Sequence, residues 1–375
     1  MPISATIRRA AQRTLRASLT NWSRTTPRGR HQPPPVVAAS RANRVSSGPA
    51  AVRCDDAVGI VALRGRDILG GRKYENTLIA VPTAGRPDDL RRLLSALATA
   101  YGAREDVGLL VVDNDPAASG RPVFDECSVS FADRRRYVVE PRRGYASVRN
   151  AVLANAADAT AIAMIDDDEV PTAGWLDELL AAQRRTGADI VAGPVVREFP
   201  AGTPRWFEQS GVFGIETRPL PEGAEMKWCA SNNTLVRVDA VRGIPGGFDD
   251  KLNATGGEDP HFFFRAHLRG CKIAWTNAAV VRERVPESRL NRSWIFRRAM
   301  VTGNARALIE FELDHRRGVS LVRLLKAAGH LAIGAGCASV ALLRRDRALG
   351  LRAIYRAGLS CGMFFAFASR KPWGG

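Results

Sequence analysis

The stretch Ala161-Ile162-Ala163-Met164-Ile165-Asp166-Asp167-Asp168-Glu169 decides how the rest of the chain reads. Five apolar residues, two of them Ile, closed by polar ones, predict a buried strand of a parallel sheet. The four acids then stand at the carboxyl end of that strand, where open α/β sheets bind their ligands. Four adjacent carboxylates repel one another and raise each other's pKa unless a cation neutralises them. Hard oxygen donors suit Mg²⁺ or Mn²⁺, commonly shared with substrate phosphates. A solvated acidic loop is the alternative, and the buried strand before the acids favours the metal–phosphate site.

With 375 residues the chain holds one large or two ordinary domains. Its net charge of +17 sits at the ends. Residues 1–53 carry ten Arg and no acid, and residues 316–375 carry eleven Lys or Arg against one acid, Asp346. The stretch between them carries 34 basic and 37 acidic residues, an ordinary globular balance. A nucleic-acid binder would carry its basic surface on the folded domain, so no specific nucleic acid is expected. Basic ends fit an anionic membrane surface better. The six cysteines, Cys54, Cys127, Cys229, Cys271, Cys337 and Cys361, form no zinc-type spacing and read as reduced, mostly buried thiols.

Four regions are predicted. Residues 1–75, rich in Arg, Ser and Pro, read as a poorly ordered basic segment. This start resembles a transit peptide and lacks the apolar core of a secretory signal. Residues 76–196 alternate strands (77–81, 107–112, 136–139, 161–165, 189–195) with helices (88–100, 146–157, 176–185). That alternation implies a mostly parallel, Rossmann-type α/β sheet with flanking helices. Residues 197–315 begin with a loose aromatic stretch to residue 227, resume in short elements at 233–238 and 260–269, and close with a helix over 291–312. Residues 316–375 form a helical extension with two uncharged runs, 327–343 and 357–369, parted by Arg344, Arg345 and Arg347. Both runs are short for membrane spans. A basic, amphipathic hairpin lying on a membrane is the expectation, with a helical pair packed on the core as the alternative.

Further motifs carry a resemblance. Ile79-Ala80-Val81-Pro82-Thr83 with Arg86-Pro87, Val111-Val112-Asp113-Asn114-Asp115, Gly144-Tyr145-Ala146-Ser147-Val148-Arg149-Asn150, the acid run, and Gly256-Gly257-Glu258-Asp259 before an aromatic run follow in order. Over about residues 77–312 the chain resembles glycosyltransferase family 2, of GT-A type, and within it the bacterial exopolysaccharide (succinoglycan-type) glucosyltransferases. The resemblance implies an inverting transferase moving a sugar from a nucleoside-diphosphate sugar, with UDP as the expected nucleotide, to a saccharide or lipid-linked acceptor. It places residues 76–196 on the donor and 197–315 on the acceptor. Asp113 would accept from the nucleobase, with Thr83 and Arg86 flanking the nucleoside; an Asx turn is the plainer use of Asp113. Arg149 would lie near the diphosphate, or else on the surface. Asp166 and Asp168 match the DxD signature, Asp168 on the metal and Asp166 on ribose or a metal-bound water, while Asp167 turns inward or caps. Mg²⁺ or Mn²⁺ would stabilise the departing nucleoside diphosphate.

In the Glu258-Asp259 pair the family uses the aspartate as general base, although acids at a helix start also need no more than the helix dipole. His261 stands where relatives often carry an acid and reads as a helix-surface histidine or an acceptor neighbour. Trp206, Trp228, Asn232 and Asn233 lie where relatives bind acceptors; the tryptophans could equally pack in the core. Arg292 and Trp294 depart in spacing from the Arg-Trp element of processive members, so a single-addition enzyme at the cytoplasmic membrane face is expected. A sugar-phosphate nucleotidyltransferase and a non-enzymatic module driven by the basic ends are the competing readings.

Overall fold

A computed structural model of the chain describes residues 76–127, 131–156, 158–214, 220–313, 319–369 and 372. The basic segment 1–75 lies outside the described residues. The motif strand is β4 (Ala161–Ile165), and all five of its residues are buried. It pairs in parallel with β1 (Thr77–Thr83), which pairs in parallel with β2 (Val107–Asp113) and that with β3 (Arg135–Val139). Both faces are covered, which is why these strands read as apolar runs without alternation. On one face Ile79, Val81, Leu109, Val111 and Ala163 pack against the Leu90, Leu93, Leu94 and Leu97 stripe of α1 (Pro87–Tyr101). The other face, with Ala80, Leu110, Ile162 and Met164, takes Val148 and Val152, which belong to the helix leaving β3, α3 (Tyr145–Ala154). Between them, α2 (Arg121–Glu126) follows β2.

The sheet continues beyond β4 in a different sense. Its order is β3-β2-β1-β4-β9-β6-β10-β8, adding β6 (Ile190–Ala192), β8 (Glu225–Met226), β9 (Asn233–Arg237) and β10 (Ile273–Trp275). Strand β9 runs antiparallel to both of its neighbours, β4 and β6. The sheet expected to be mostly parallel is all parallel over its first half and mixed beyond it. The single strand expected over 189–195 is two: β6 in the large sheet, then β7 (Val195–Glu198) in a second sheet of order β5-β11-β7, with β5 (Glu169–Pro171) and β11 (Val281–Arg284). The chain changes sheets at Gly193-Pro194. Pro194 offers no N–H to a ladder, and a side chain at Gly193 would strike the carbonyl of Ala279. Helix α4 (Trp175–Thr186) joins β5 to β6, with acids in its first turn, arginines in its last, and Gly187 in the left-handed conformation as its cap. Under the far half of the sheet, Phe248, Phe262 and Phe263 form a second core. They are supplied in part by α7 (Glu258–Leu268), which follows the short α5 (Arg205–Gln209) and α6 (Val238–Val241).

The C-terminal part is helical, and one of its helices packs on the protein, as in the alternative expectation for it. Helix α8 (Arg292–Leu313) is followed by α9 (Val319–Arg344) and α10 (Arg347–Ser369). Helix α10 is packed on the protein: Leu351, Tyr355 and Leu359 join Phe207 of α5 and Ile295 and Ala299 of α8 in one apolar cluster. Helix α9 stays outside, with 17% of its most apolar window buried. Helices α8 and α10 touch backbone to backbone, because side chains at Gly303, Gly358 and Gly362 would meet the carbonyls of Leu359, Phe296 and Met300.

That close approach is testable. Gly362→Ala drives a methyl into the Met300 carbonyl and should lower stability by about 1–3 kcal/mol. Gly336→Ala, on α9 with nothing near the added methyl, should leave stability unchanged or raise it by up to ~1 kcal/mol. Urea unfolding of the two variants reads the difference; equal effects would contradict the packing.

Candidate active site

Strands β1, β2 and β4 end side by side at Thr83, Asp113 and Ile165, so the acid run begins where the parallel half of the sheet opens. Its four acids point in different directions. Asp167 turns inward and is buried; its carboxylate accepts from Thr83 Oγ1 at 2.7 Å and pairs with Arg86 Nη1 at 3.0 Å. Asp168 keeps 12% of its side chain exposed, with Arg86 Nη1 at 3.0 Å and Arg289 Nη2 at 3.7 Å. Arg92 Nη2 donates to the Asp168 carbonyl at 3.0 Å. Glu169 is fully buried as the first residue of β5; it accepts from the Asp166 N–H at 3.3 Å and from Asn232 Nδ2 at 2.6 Å. Asp166 is the most open of the four, with 33% of its side chain exposed.

The electrostatics follow from this crowding. Burial lifts Asp166 to about 6, with Arg149 pulling down and Asp168 pushing further up. Burial lifts Asp167 to about 7 against the pull of Arg86 and Thr83. Glu169 is raised well above the ordinary glutamate value, first by burial and then by Asp166 and Asp168. A divalent cation would reverse such shifts. Asp166 and Asp168, which flank the inward Asp167, are the residues with oxygens at the open end of β4. This hard-oxygen donor set fits Mg²⁺ or Mn²⁺.

The second half of the site arrives from α7. Gly257 at φ +96 starts that helix, and a side chain there would press on Ala305 of α8. Glu258 and Asp259 occupy the first turn, both buried. Arg149, on α3, reaches across to them: Nε lies 2.8 Å from Asp259 Oδ1, Nη1 lies 3.3 Å from Glu258 Oε1, and Nη2 lies 3.9 Å from Asp166 Oδ1. Its Nε–H is donated to Ser231 Oγ at 2.6 Å, while the Ser231 N–H is donated to Asp259 Oδ2 at 3.0 Å. Asp259 Oδ1 therefore faces the guanidinium without a hydrogen bond of its own. Burial opposes the charge on Arg149, but Asp259, Glu258 and Asp166 outweigh it and hold the group above its ordinary value. Glu258 is lifted to about 7 by burial and by Asp259, against Arg149.

Several sequence-derived expectations need correcting. Arg149 is buried, so the surface alternative falls. Asp113 is also fully buried, and its carboxylate accepts from the N–H groups of Asp115 (2.9 Å) and Gly120 (2.8 Å) and from the Tyr137 hydroxyl (2.5 Å). That is the Asx-turn role, and it holds the loop after β2 instead of facing a base. Asn233 is committed to the scaffold: it accepts from Trp175 Nε1 at 2.7 Å and donates to the carbonyls of Pro194 and Ala279. Asn232 braces Glu169. Trp206 is half-buried on α5 against Phe207, whereas Trp228 is 36% exposed with the Arg306 guanidinium 5.4 Å from its ring. His261 is buried and is not a surface histidine. Ser231, Arg92 and Arg289 were not anticipated. Ser231 has no sequence signal, and Arg289 is one of several arginines spread over 282–298.

Residues 78–244 match the family model described as glycosyl transferase family 2. The succinoglycan biosynthesis protein ExoM of Rhizobium meliloti (strain 1021) is 31% identical over 287 residues, which covers 76% of this chain and 92% of that protein. The chain belongs to glycosyl transferase family 2. A pre-mycofactocin glycosyltransferase of Mycobacterium tuberculosis (strain ATCC 25618 / H37Rv) is 27% identical over 64% of this glycosyltransferase and 48% of its own length. Among solved structures, the mannosyltransferase PcManGT of Pyrobaculum calidifontis, in complex with GDP-Man and Mn²⁺, superposes with a TM-score of 0.52 at 18% identity. It covers 80% of this chain and 88% of its own, and the likeness is one of fold.

The raised acids of this glycosyltransferase give a pH signature. Between the ordinary aspartate value of 3.8 and about 7, the folded chain keeps a proton on Asp167 that the unfolded chain has released. Stability therefore falls across that window and levels off above it. Asp167→Asn removes this contribution, so the variant's deficit relative to the parent should be larger at pH 5 than at pH 8. Urea unfolding with EDTA at both pH values measures it; a deficit that grows with pH would refute the assignment.

Proposed function

We propose that this glycosyltransferase moves a sugar from a nucleoside-diphosphate sugar to a hydroxyl of a saccharide or lipid-linked acceptor, with inversion, in cell-surface or exopolysaccharide synthesis. The observation that carries the reading is the reach of Arg149. One buried guanidinium draws the acids after β4 and the Glu258-Asp259 pair into a single pocket. An in-line displacement needs a carboxylate for the incoming hydroxyl and positive charge for the departing diphosphate, and the pocket offers both. Residues 76–196 then serve the donor and residues 197–315 the acceptor. The resemblance to ExoM supports an exopolysaccharide acceptor. Family membership removes the nucleotidyltransferase and non-enzymatic readings.

In this scheme Asp166 and Asp168 hold Mg²⁺ or Mn²⁺, which when bound supplies charge to the leaving diphosphate. Arg86 and Arg289, already beside Asp168, are the side chains placed to meet phosphate oxygens. Asp259 takes the acceptor proton as the acceptor oxygen bonds to the anomeric carbon. The bonding pair of the anomeric carbon–oxygen bond leaves with the nucleoside diphosphate. Arg149, 2.8 Å from Asp259 Oδ1, aims the carboxylate, and the Ser231 N–H fixes its other oxygen. Trp228, exposed beside Arg306, is the ring available to a sugar face. With Asp113 committed to its loop, base selectivity rests on other groups, and UDP-sugars are the first donors to test.

The decisive measurement is release of nucleoside diphosphate from UDP-, GDP- and dTDP-sugars by the full chain with Mg²⁺ or Mn²⁺. Asp259→Asn should lower turnover by about 10²–10⁴-fold while leaving nucleotide binding close to the parent's. Undiminished turnover would remove Asp259 from its role.

We also propose that the enzyme works at the cytoplasmic face of the membrane, held peripherally by α9. That helix exposes Leu321, Leu325, Leu331, Ile333, Leu342 and Leu343, the last two at 81% and 86%, next to the exposed Arg344, Arg345 and Arg347. Apolar side chains ending in a basic cluster fit the headgroup boundary of an anionic bilayer. The double substitution Leu342→Asp, Leu343→Asp should abolish flotation with vesicles containing anionic lipid and leave the thermal midpoint unchanged. Unaltered flotation would exclude α9 as the anchor.

A further inference from the structure

A second cluster of metal-type donors lies away from the acid run. Asp249 precedes a short 3-10 turn, His261 lies on α7 and Glu312 is near the end of α8. One ligand atom from each falls within 4.8 Å of the other two. His261 is two residues beyond Asp259, about 200° round the helix, so it points away from the base.

The imidazole makes this more than a pair of acids. His261 is 3% exposed, and neither Nδ1 nor Nε2 has a hydrogen-bond partner. A buried ring whose Nδ1 is unmet, and whose Nε2 faces the Glu312 carboxylate without good hydrogen-bond geometry, is costly and calls for an explanation such as an ion. Its Nε2 stands 3.4 Å from Glu312 Oε2, close to the roughly 3.3 Å that separates neighbouring ligand atoms on tetrahedral zinc. Asp249 Oδ1 accepts from the Lys251 N–H at 3.0 Å, which fixes that carboxylate and leaves its other oxygen free of this bond. Burial keeps the ring below its ordinary pKa, in the neutral form a metal requires. Arg265, one turn along α7, is the nearby cation. Its Nη1 donates to the Pro245 carbonyl at 2.9 Å and its Nη2 to that of Gly247, so it does not satisfy the imidazole. Two carboxylates against one guanidinium leave room for a dication.

We propose that Asp249, His261 and Glu312 bind a transition-metal dication of the zinc class, separate from the donor-site metal, which pins the rear of α7 to the end of α8. One imidazole and two carboxylates suit Zn²⁺, where an all-oxygen set would suit Mg²⁺. The ion would fix the helix that carries Glu258 and Asp259 without touching the reacting atoms. The proposal stands whether or not the sugar-transfer scheme does.

The test is zinc binding by the EDTA-stripped full chain, by equilibrium dialysis with metal analysis and with millimolar Mg²⁺ present to occupy the acid run. One zinc per chain is expected. His261→Ala should lose it, and Glu312→Gln, at a largely exposed position where folding is not at stake, should weaken it by at least ~10-fold. Asp168→Asn should retain it. Zinc should raise the thermal midpoint of the parent and not that of Glu312→Gln. No zinc on the parent, parental affinity in Glu312→Gln, or loss in Asp168→Asn instead would each overturn the proposal.

Discussion

The buried guanidinium of Arg149 sits among Asp166, Glu258 and Asp259, and the arrangement of the pocket depends on it. The three acids come from the end of β4 and from the start of α7, about ninety residues apart in the chain. Without a shared cation they would repel one another in a low-dielectric setting. Removing one partner from a buried ion network typically costs about 3–5 kcal/mol, because the remaining charges stay desolvated. The same guanidinium that makes the acids tolerable also sets their spacing. Ser231 completes the arrangement by spending its hydroxyl on Arg149 and its backbone N–H on Asp259. In the proposed scheme, stability and chemistry draw on one set of contacts.

Much of this was legible in the chain itself. The apolar strands β1, β2 and β4, the leucine stripe of α1 and the acid run at a strand end follow from periodicity and burial alone. What escaped was long-range geometry. Nothing local marks β9 as antiparallel, since its direction is set by where 200–232 carries the chain. The split of 189–195 between two sheets hung on the Gly193-Pro194 step, which reads in isolation as an interruption within one strand. At the site, residue types were legible where their partners were not. Asp113 and Asn233 are polar residues at strand ends, the expected place for ligand contacts. The fold uses Asp113 to satisfy N–H groups of the loop after β2, and Asn233 to satisfy carbonyls where the chain changes sheets. Arg149 was read as a phosphate ligand, and its role as tether for the acids needed the distances.

The C-terminal helices show how a packed and an exposed element can share one hairpin. Glycines at 303, 358 and 362 let α10 lie against α8 with almost no side-chain spacer, so α10 belongs to the protein's core. Helix α9 packs on α10 through a stripe that includes Ala327, Gly334 and Ala341, and turns Leu325, Leu342 and Leu343 outward.

The antiparallel insertion of β9 also constrains how the molecule is made. Strand β4 leaves the ribosome with its β1 edge soon covered, but its other edge waits for residues 233–237, some seventy positions later. Until then an apolar strand with an open ladder is exposed, the condition that favours wrong pairings between chains. Because Ser231 and Asn232 immediately precede β9, the strand that closes this edge also delivers the groups that hold Asp259 and Glu169. Sheet closure and assembly of the pocket are thus a single late event in synthesis, and a chain arrested before it would be both inactive and prone to aggregate.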